Sequence, residues 1–337
     1  MPLTAAEVAE HPGFKEPAIW ELKPTKKGKC AVAQGRGGPF DLAYEIHGVG
    51  PVHIVWIVGL GAHKWYWQRQ TKDFGHDEAC KYSCLIYDNR GMGESDKPIL
   101  RYSTSEMARD TLELLDHVGW TGERSAHVVG VSMGGMIAQE MAYLEPKRIA
   151  SLSLVSTCAE LMNTVGYIQK IRDRINIFIP KSIDAQIIEI KTRVSESWLL
   201  APDEDGNFPT NGDRFTAQEL TKRRDVEGFQ RKGFLCQLAA CGYHKKSPAQ
   251  LREIAGKVGR ERIQVVHGNI DNLITLPHAK VQLKALGREE AAETKVIFEG
   301  RGHYLPFEER REFKKVIAAL IDKMGELRST TIHDFQI

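Results

Sequence analysis

The stretch Val128-Val-Gly-Val-Ser-Met-Gly-Gly-Met-Ile-Ala138 places a single serine, Ser132, where one sequence pattern gives way to another. The residues before it, from Ala126 to Val131, form a short β-branched run bounded by polar residues, which predicts a buried strand. The residues after it follow a helix pattern that ends at Leu144-Glu-Pro146. We therefore expect Ser132 at a strand-to-helix turn.

Glycines stand two residues before and two residues after this serine, at Gly130 and Gly134. A helix-capping role would explain Ser132 alone, because serine is a favoured N-cap residue. It would not explain the two glycines. A G-x-S-x-G nucleophile elbow explains them, because its sharp turn leaves no room for side chains at those positions. We interpret Ser132 as a candidate nucleophile within such an elbow.

A nucleophilic serine needs a base, and the base needs a third group that orients it. In the elbow arrangement an acid and then a histidine follow the serine, each just after a later strand. Asp271 and His303 occur in this order, after the strand patterns that end at His267 and Phe298. The sequence therefore predicts a catalytic triad of Ser132, Asp271 and His303.

Three other residues compete for these roles. Glu160 follows the strand that comes before Asp271 in the chain and is the alternative acid. His267 lies at a strand end and His278 opens a helix, so we interpret both as structural residues.

An acyl-transfer site also needs backbone donors for the oxyanion that develops on the substrate. One donor is expected from the amide of Met133, which follows the serine at the start of its helix. The second is expected from the loop Gly59-Leu-Gly-Ala62, where glycines let the backbone approach the substrate. Leu60 is the candidate for this second amide.

The rest of the chain alternates between strand and helix patterns. A hairpin is predicted between Cys30 and Ile46, and apolar runs follow at 53–58, 84–87, 126–131, 151–155, 262–267 and 294–298. Between about 159 and 251 the alternation stops, and helix patterns over 166–178, 182–200 and 228–241 follow one another. This order predicts an α/β protein with a mostly parallel central sheet, helices on both faces and an inserted all-helical segment.

The same patterns divide the chain into four parts. They are an N-terminal extension (1–29), an α/β core (30–158 and 252–325), a helical insertion (159–251) and a C-terminal tail (326–337).

Composition excludes several classes of function. A formal net charge of +2 does not indicate the strongly basic surface that nucleic-acid binding requires. We interpret the charged run Lys222-Arg-Arg224 as a face exposed to solvent, a solvated face. No apolar run has transmembrane length, and no signal-peptide pattern opens the sequence, so a cytoplasmic location is expected. The six cysteines match no zinc-site spacing and are expected to be reduced.

A second motif, Asp88-Asn-Arg-Gly-Met-Gly-Glu-Ser-Asp96, resembles the D-x-R-G-x-G-x-S loop of the α/β-hydrolase superfamily, and Gly119-Trp120 precedes the elbow strand. With these motifs the chain resembles the serine esterase and lipase branch over nearly its whole length. The resemblance implies the α/β-hydrolase fold and a helical cap, formed by the insertion, over the active site. It also implies that Asp88, Arg90 and Ser95 brace the neighbouring loop. Where the family often has His-Gly at the oxyanion loop, this chain has Val58-Gly59.

The implied cap would set the choice of substrate. Its apolar residues either line an acyl pocket or only pack the cap onto the core; they are Ile177, Phe178, Trp198, Leu199 and Phe234. The segment Trp65-Tyr-Trp67 leaves the same alternatives open. His63 either contacts substrate or has no role in binding, because it lies at the surface or has its hydrogen bonds satisfied within the protein.

The sequence therefore predicts a serine hydrolase that cleaves a carboxylic ester or lactone with an apolar portion, through an acyl-enzyme and without a metal or organic cofactor. Serine rather than aspartate at the elbow disfavours the haloalkane dehalogenase and epoxide hydrolase branches. An acyltransferase or a carbon–carbon bond hydrolase would use the same triad, and a small-molecule receptor would keep the fold without turnover. The complete triad favours a catalyst, and the oligomeric state is left open.

Overall fold

The computed structural model describes residues 2–15, 19–162, 181–289, 291 and 294–334. Its strands are β1 (Lys26–Val32), β2 (Phe40–His47), β3 (Val52–Ile57), β4 (Tyr82–Tyr87), β5 (Ala126–Val131), β6 (Ile149–Val155), β7 (Ile263–Gly268) and β8 (Lys295–Phe298). Within the described ranges they form one sheet in the order β1-β2-β4-β3-β5-β6-β7-β8. The predicted hairpin is β1 and β2, which pair antiparallel, as do β2 and β4. All pairs from β4 to β8 are parallel.

Strand β3 shows how the sheet supplies two hydrophobic cores. Ile54 and Trp56 belong to the cluster on one face of the sheet, and Val55 and Ile57 belong to the cluster on the other. All four side chains are fully buried. Successive side chains of a strand point to opposite faces, so a sheet covered on both faces needs a continuous apolar run. The apolar run that predicted β3 is explained by the helices that cover both faces of the sheet.

Helices cover both faces of the sheet. In chain order the described α-helices are α1 (Ala5–Glu10), α2 (Pro12–Lys15), α3 (Gln68–Gly75), α4 (Thr104–Val118), α5 (Met133–Leu144), α6 (Ile183–Lys191), α7 (Glu196–Leu200), α8 (Asn211–Arg224), α9 (Arg231–Tyr243), α10 (Pro248–Val258), α11 (Leu276–Leu286), α12 (Leu305–Glu308) and α13 (Arg310–Asp334). Helices α4, α5, α10 and α11 pack on one face, and α3 and α13 pack on the other. The predicted α/β class is confirmed. None of the helices in the described ranges combines the length and apolar character that a bilayer crossing requires.

Helices α6 to α9 lie between β6 and β7 in the chain and form the inserted helical cap. The two ends of this insertion meet at Glu160 and Lys245, which form an antiparallel bridge. The helix predicted over 166–178 lies outside the described residues.

The helix predicted over 182–200 was wrong as a single element, because α6 ends at Lys191 and α7 begins at Glu196. Two hydrogen bonds to the core explain the break. The carbonyl of Arg193 accepts from the amide of His303 at 2.8 Å, and the amide of Ser195 donates to the Glu308 carboxylate at 3.0 Å. Because these two backbone groups bond to the core, they are not available for the hydrogen bonds of a continuous helix.

The N-terminal helix α1 packs on the cap and not on the sheet. Val8 is fully buried in a cluster that includes Ile187, Phe208 and Leu220 of the cap region. The amide of Leu3 donates to a carboxylate of α8, Asp213 Oδ1, at 2.8 Å.

Two helices cross the limits that the sequence patterns suggested. Helix α10 spans the expected end of the insertion at residue 251, and α13 continues to Asp334, within the stretch assigned to the C-terminal tail. The domain limits stay a prediction.

Candidate active site

Ser132 lies at the turn between β5 and α5 with φ 56° and ψ −121°, a backbone conformation that L-amino acids rarely adopt. Such strain persists only where the surroundings hold it, and it clusters at functional sites. The Ser132 amide donates to the carbonyl of Val155 at 2.9 Å, and its carbonyl accepts from the Thr157 hydroxyl at 2.6 Å. These bonds fix the serine at the carboxyl end of the parallel strands, where ligands bind in sheets of this kind.

The flanking glycines are required because the backbone passes close to itself. A β-carbon on Gly130 would lie 2.3 Å from the carbonyl oxygen of Gly134. A β-carbon on Gly134 would lie 2.2 Å from the carbonyl oxygen of Ile57. Both contacts are with backbone atoms, which cannot move aside as a flexible side chain would. The turn therefore excludes side chains at both positions, the steric requirement from which the elbow was predicted.

The loop after β3 passes directly beside the serine. A β-carbon on Gly59 would lie 3.2 Å from the β-carbon of Ser132, and Ser132 and Leu60 both line a cavity at this edge of the sheet. The amide of Gly61 is already used, because it donates to a glutamine side chain of α9 at 2.9 Å. Met133 occupies the first position of α5, where an amide has no acceptor within the helix. This placement supports Leu60 and Met133, rather than Gly61, as the candidate oxyanion donors.

Asp271 and His303 meet at the same edge of the sheet, one in the turn after β7 and the other in the loop after β8. Asp271 Oδ2 lies 2.8 Å from His303 Nδ1. The other oxygen, Oδ1, accepts the amides of Leu273 and Ile274, each at 2.9 Å. Because a carboxylate only accepts, His303 carries its proton on Nδ1, which leaves Nε2 as the basic nitrogen.

The charge of Asp271 is stabilised by these neighbours. Burial works to raise the pKa of this carboxyl, but His303 and, to a smaller extent, His267 and the Ile274 amide favour the ionised form. The pKa of Asp271 consequently lies below its ordinary value. Asp271 is therefore a carboxylate throughout the pH range in which histidine titrates.

The competing residues hold other partners. Glu160 is half exposed and pairs with Lys245 at 3.2 Å. His267 donates from Nε2 to the carbonyl of Ile274 at 2.6 Å, and Nε2 of His278 accepts a backbone amide at 3.1 Å. Across the part of the chain that the structure describes, no three His, Cys, Asp or Glu side chains are grouped as a metal site.

A cavity of about 550 Å³ opens at this edge of the sheet, beneath the cap, and both Ser132 and His303 line it. This volume suits a small organic molecule. Much of the wall is aromatic; it includes Trp65, Tyr66, Phe215, Phe229, Phe234 and Phe307. The cavity therefore offers an apolar surface beside the candidate nucleophile.

The structure separates the apolar residues for which the sequence left two alternatives. Phe234 and Trp65 line the cavity, whereas Trp198 and Leu199 pack in the hydrophobic cluster that joins the cap to the sheet. Trp67 is fully buried in the same cluster. Ile177 and Phe178 lie outside the described residues.

His63 is buried and contributes to the cavity wall. Its Nδ1 accepts from the indole N–H of Trp65 at 3.2 Å. Burial lowers the pKa of His63, so the imidazole is neutral at pH 7.

The interpretation of Lys222-Arg-Arg224 as a solvated face was wrong for two of its three residues. Lys222 is only 9% exposed, and it lines the cavity together with Arg223, whereas Arg224 is exposed. Both inward cations pair with Glu219, one turn earlier on α8. The spacing of Glu219, three and four residues before the cations, was the available signal, because such pairs share one side of a helix.

The D-x-R-G loop braces the site in the way that the resemblance implied. Asp88 accepts from the backbone amide of Lys64 at 2.6 Å, and the Ser95 hydroxyl donates to the carbonyl of Asp88 at 2.6 Å. Arg90 holds Asp110 through two hydrogen bonds of 2.6 Å each, in a fully buried ion pair. Charged groups thus tie the loop to the segment that follows β3 and to α4.

Comparison with known proteins assigns the fold to one family. Residues 52–310 match the family model described as the α/β hydrolase fold. This span runs from the start of β3 past the histidine of the candidate triad. The chain belongs to the α/β-hydrolase-fold family.

Two relatives with more than 30% identity match over shorter regions. A protein of Azorhizobium caulinodans named as a carbamate hydrolase, RutD, is 35% identical over 139 residues, which are 41% of this chain and 49% of that protein. A 3-oxoadipate enol-lactonase of Acinetobacter baylyi is 31% identical over 108 residues, or 32% of this chain and 38% of the relative. The chain thus spans half or less of the length of these relatives. A thermophilic esterase from Thermogutta terrifontis shares the fold with a TM-score of 0.66 at 19% identity, over 89% of this chain and 99% of the esterase.

Proposed function

We propose that the protein is a serine hydrolase that cleaves a carboxylic ester or a lactone with an apolar portion. The observation that carries this proposal is the strained Ser132 on the wall of a cavity that His303, hydrogen-bonded to Asp271, also lines. The aromatic wall of that cavity supports an apolar portion in the substrate. The similarity to proteins named as an enol-lactonase and a carbamate hydrolase supports cleavage beside a carbonyl group.

In the first half of the reaction, the hydroxyl oxygen of Ser132 attacks the substrate carbonyl carbon, and its proton passes to Nε2 of His303. The negative Asp271 stabilises the imidazolium that results. The amides of Leu60 and Met133 donate to the oxyanion of the tetrahedral intermediate. The bond from carbon to the leaving oxygen then breaks, and His303 returns its proton to that oxygen. In a lactone this oxygen remains attached to the acyl group.

In the second half, water is the nucleophile and attacks the acyl group that is bound to Ser132. His303 takes a proton from the water as its oxygen attacks the acyl carbon, and a second tetrahedral intermediate forms. Collapse of this intermediate breaks the bond from carbon to the Ser132 oxygen. The proton on His303 returns to that oxygen, so the enzyme is restored and a carboxylic acid leaves.

The first test is turnover of p-nitrophenyl esters, from acetyl to long acyl chains, by the wild type and by Ser132→Ala. We expect the substitution to lower kcat by about 10⁴-fold or more, because no other group can form the acyl-enzyme. Ser125→Ala, at the opposite end of β5, is the matched control and should keep the wild-type rate.

Two results would contradict the proposal. Activity that survives in Ser132→Ala, with an unchanged thermal melt, would show that another residue is the nucleophile. A wild type that turns over none of the esters would argue against ester hydrolysis and in favour of carbon–carbon bond cleavage.

A further inference from the structure

The cap supplies a charged wall to the otherwise apolar cavity. Among the described residues that line the cavity, the charged side chains other than histidine all come from the cap region; they are Lys181, Glu189, Arg193, Glu219, Lys222, Arg223 and Arg231. Among these described side chains, cations outnumber carboxylates by five to two. A substrate made only of apolar groups and one ester would not use this surplus of positive charge.

The central part of the wall lies on α8, where Lys222 and Arg223 share one carboxylate. Lys222 Nζ lies 2.9 Å from Glu219 Oε2, and the Arg223 guanidinium also pairs with that oxygen. Arg223 Nε donates to Gln186 on α6 at 3.2 Å, so the group is held between two cap helices.

Glu219 remains ionised within this group. Burial favours its neutral form, but Lys222 and Arg223 outweigh burial and lower the pKa of Glu219 to about 2. One carboxylate between two cations leaves a net positive charge on the group. Burial lowers the pKa of Lys222, so an anion bound beside it would also favour the charged form of this lysine.

A second pair of cations lies where the cap contacts the catalytic loop. Lys181 and Arg193 share Glu189, at 2.5 and 3.5 Å. The carbonyl of Arg193 accepts from the amide of His303 at 2.8 Å, so the backbone at this cation is fixed against the loop that carries the histidine.

Positive charge that is removed from water and only partly balanced is costly, and an anion that enters the cavity offsets that cost. We propose that Arg193, Lys222 and Arg223 form a subsite for an anionic group of the substrate, a carboxylate or a phosphate. Given the proposed hydrolase function, the substrate is then an ester or lactone whose far end is acidic. The cationic wall selects such molecules and the aromatic wall holds the chain between the two ends.

The direct test compares two esters of the same length, p-nitrophenyl hexanoate and mono-p-nitrophenyl adipate, which differ by one terminal carboxylate. We expect the wild type to prefer the adipate in kcat/KM by about tenfold or more, because charge-assisted hydrogen bonds are the strong ones. Lys222→Gln should remove most of this preference, chiefly through KM. Lys232→Gln, an exposed change on α9 outside the cavity wall, is the matched control and should keep the preference.

A variant of opposite sign makes the test sharper. Glu219→Gln removes the carboxylate that competes with the substrate anion, so it should lower KM for the adipate ester. Arg193→Gln is the second loss variant, since its side chain is 29% exposed and its removal disturbs the buried group less. If the melting temperature of Lys222→Gln is well below that of the wild type, the adipate preference of Arg193→Gln is the result that tests the subsite.

Binding to the inactive Ser132→Ala variant gives a readout without turnover. Calorimetry with monomethyl adipate, methyl hexanoate and hexyl phosphate should show binding of an anionic ligand and weaker binding of the neutral ester. Tighter binding of the adipate would assign the subsite to carboxylates, and tighter binding of the hexyl phosphate would assign it to phosphates. Equal affinity for all three ligands, or an adipate preference unchanged in both loss variants, would overturn the subsite.

The proposal of a subsite and the proposal of a hydrolase function can be refuted independently of each other. If the wild type cleaves neither p-nitrophenyl ester but Ser132→Ala binds monomethyl adipate, and the additional Lys222→Gln change abolishes that binding, the subsite stands without ester hydrolysis. If both esters are cleaved at equal rates in every variant, hydrolysis stands and the subsite is wrong.

Discussion

The two oxygens of Asp271 have different partners, since Oδ2 holds the imidazole of His303 and Oδ1 holds the turn that follows. In Asp271→Asn the side chain keeps its shape but loses its charge, and its amide nitrogen favours the wrong tautomer of the histidine. We expect kcat to fall by about 10³- to 10⁴-fold with little change in KM, in steady-state kinetics on the best ester. Asp184→Asn, an exposed change on α6, should keep the wild-type rate. A tenfold loss or less would argue against the orienting role of Asp271.

The same residue predicts a pH dependence of stability. The pKa of Asp271 in the fold lies below its value in the unfolded chain, about 3.9, so its charged form stabilises the fold. This contribution is present above about pH 4 and is lost as the pH falls through the lower pKa of the folded state. Asp271→Asn should therefore be less stable than the wild type at pH 7, and the difference in urea denaturation should shrink below pH 4. A difference that does not change with pH would contradict this account.

At the scale of elements, the contact between α1 and the cap gives a prediction of its own. Val8 is fully buried against cap residues, whereas Ala6 on the same helix is exposed. Val8→Asp should release α1 and cost about 2 kcal/mol or more in urea denaturation, because it removes a buried apolar side chain and introduces a charge. Ala6→Asp adds the same charge to the solvated side and should cost little. Equal effects of the two substitutions would show that α1 does not stabilise the cap.

The elements that the sequence could predict are those whose burial is apolar. Strand β6 is buried at every position, and five of its seven residues are apolar. Helix α8 was missed because its buried positions are largely polar; they include Asn211, Asp213, Arg214, Gln218 and Glu219. Patterns based on hydrophobicity cannot find a helix that is held by hydrogen bonds and ion pairs.

At the scale of the whole molecule, the candidate triad could be predicted because its members follow the strands of one parallel sheet. The carboxyl ends of parallel strands meet at one edge, so chain order alone indicates that Ser132, Asp271 and His303 lie near one another. The cationic wall could not be predicted in this way. Whether Lys222 faces solvent or the cavity depends on how α8 is placed on the core, and a local run of charges does not contain that information.

The bridge between Glu160 and Lys245, at the base of the cap, has a consequence for evolution and for engineering. The amide of Lys246 also donates to the carbonyl of Ala159 at 2.8 Å, so the cap leaves and re-enters the core at one point. A segment attached in this way can be replaced as one unit by recombination, without any change to Ser132, Asp271 or His303. Helix α1 would have to be replaced together with the cap, since a foreign cap would lack the surface against which Val8 is buried.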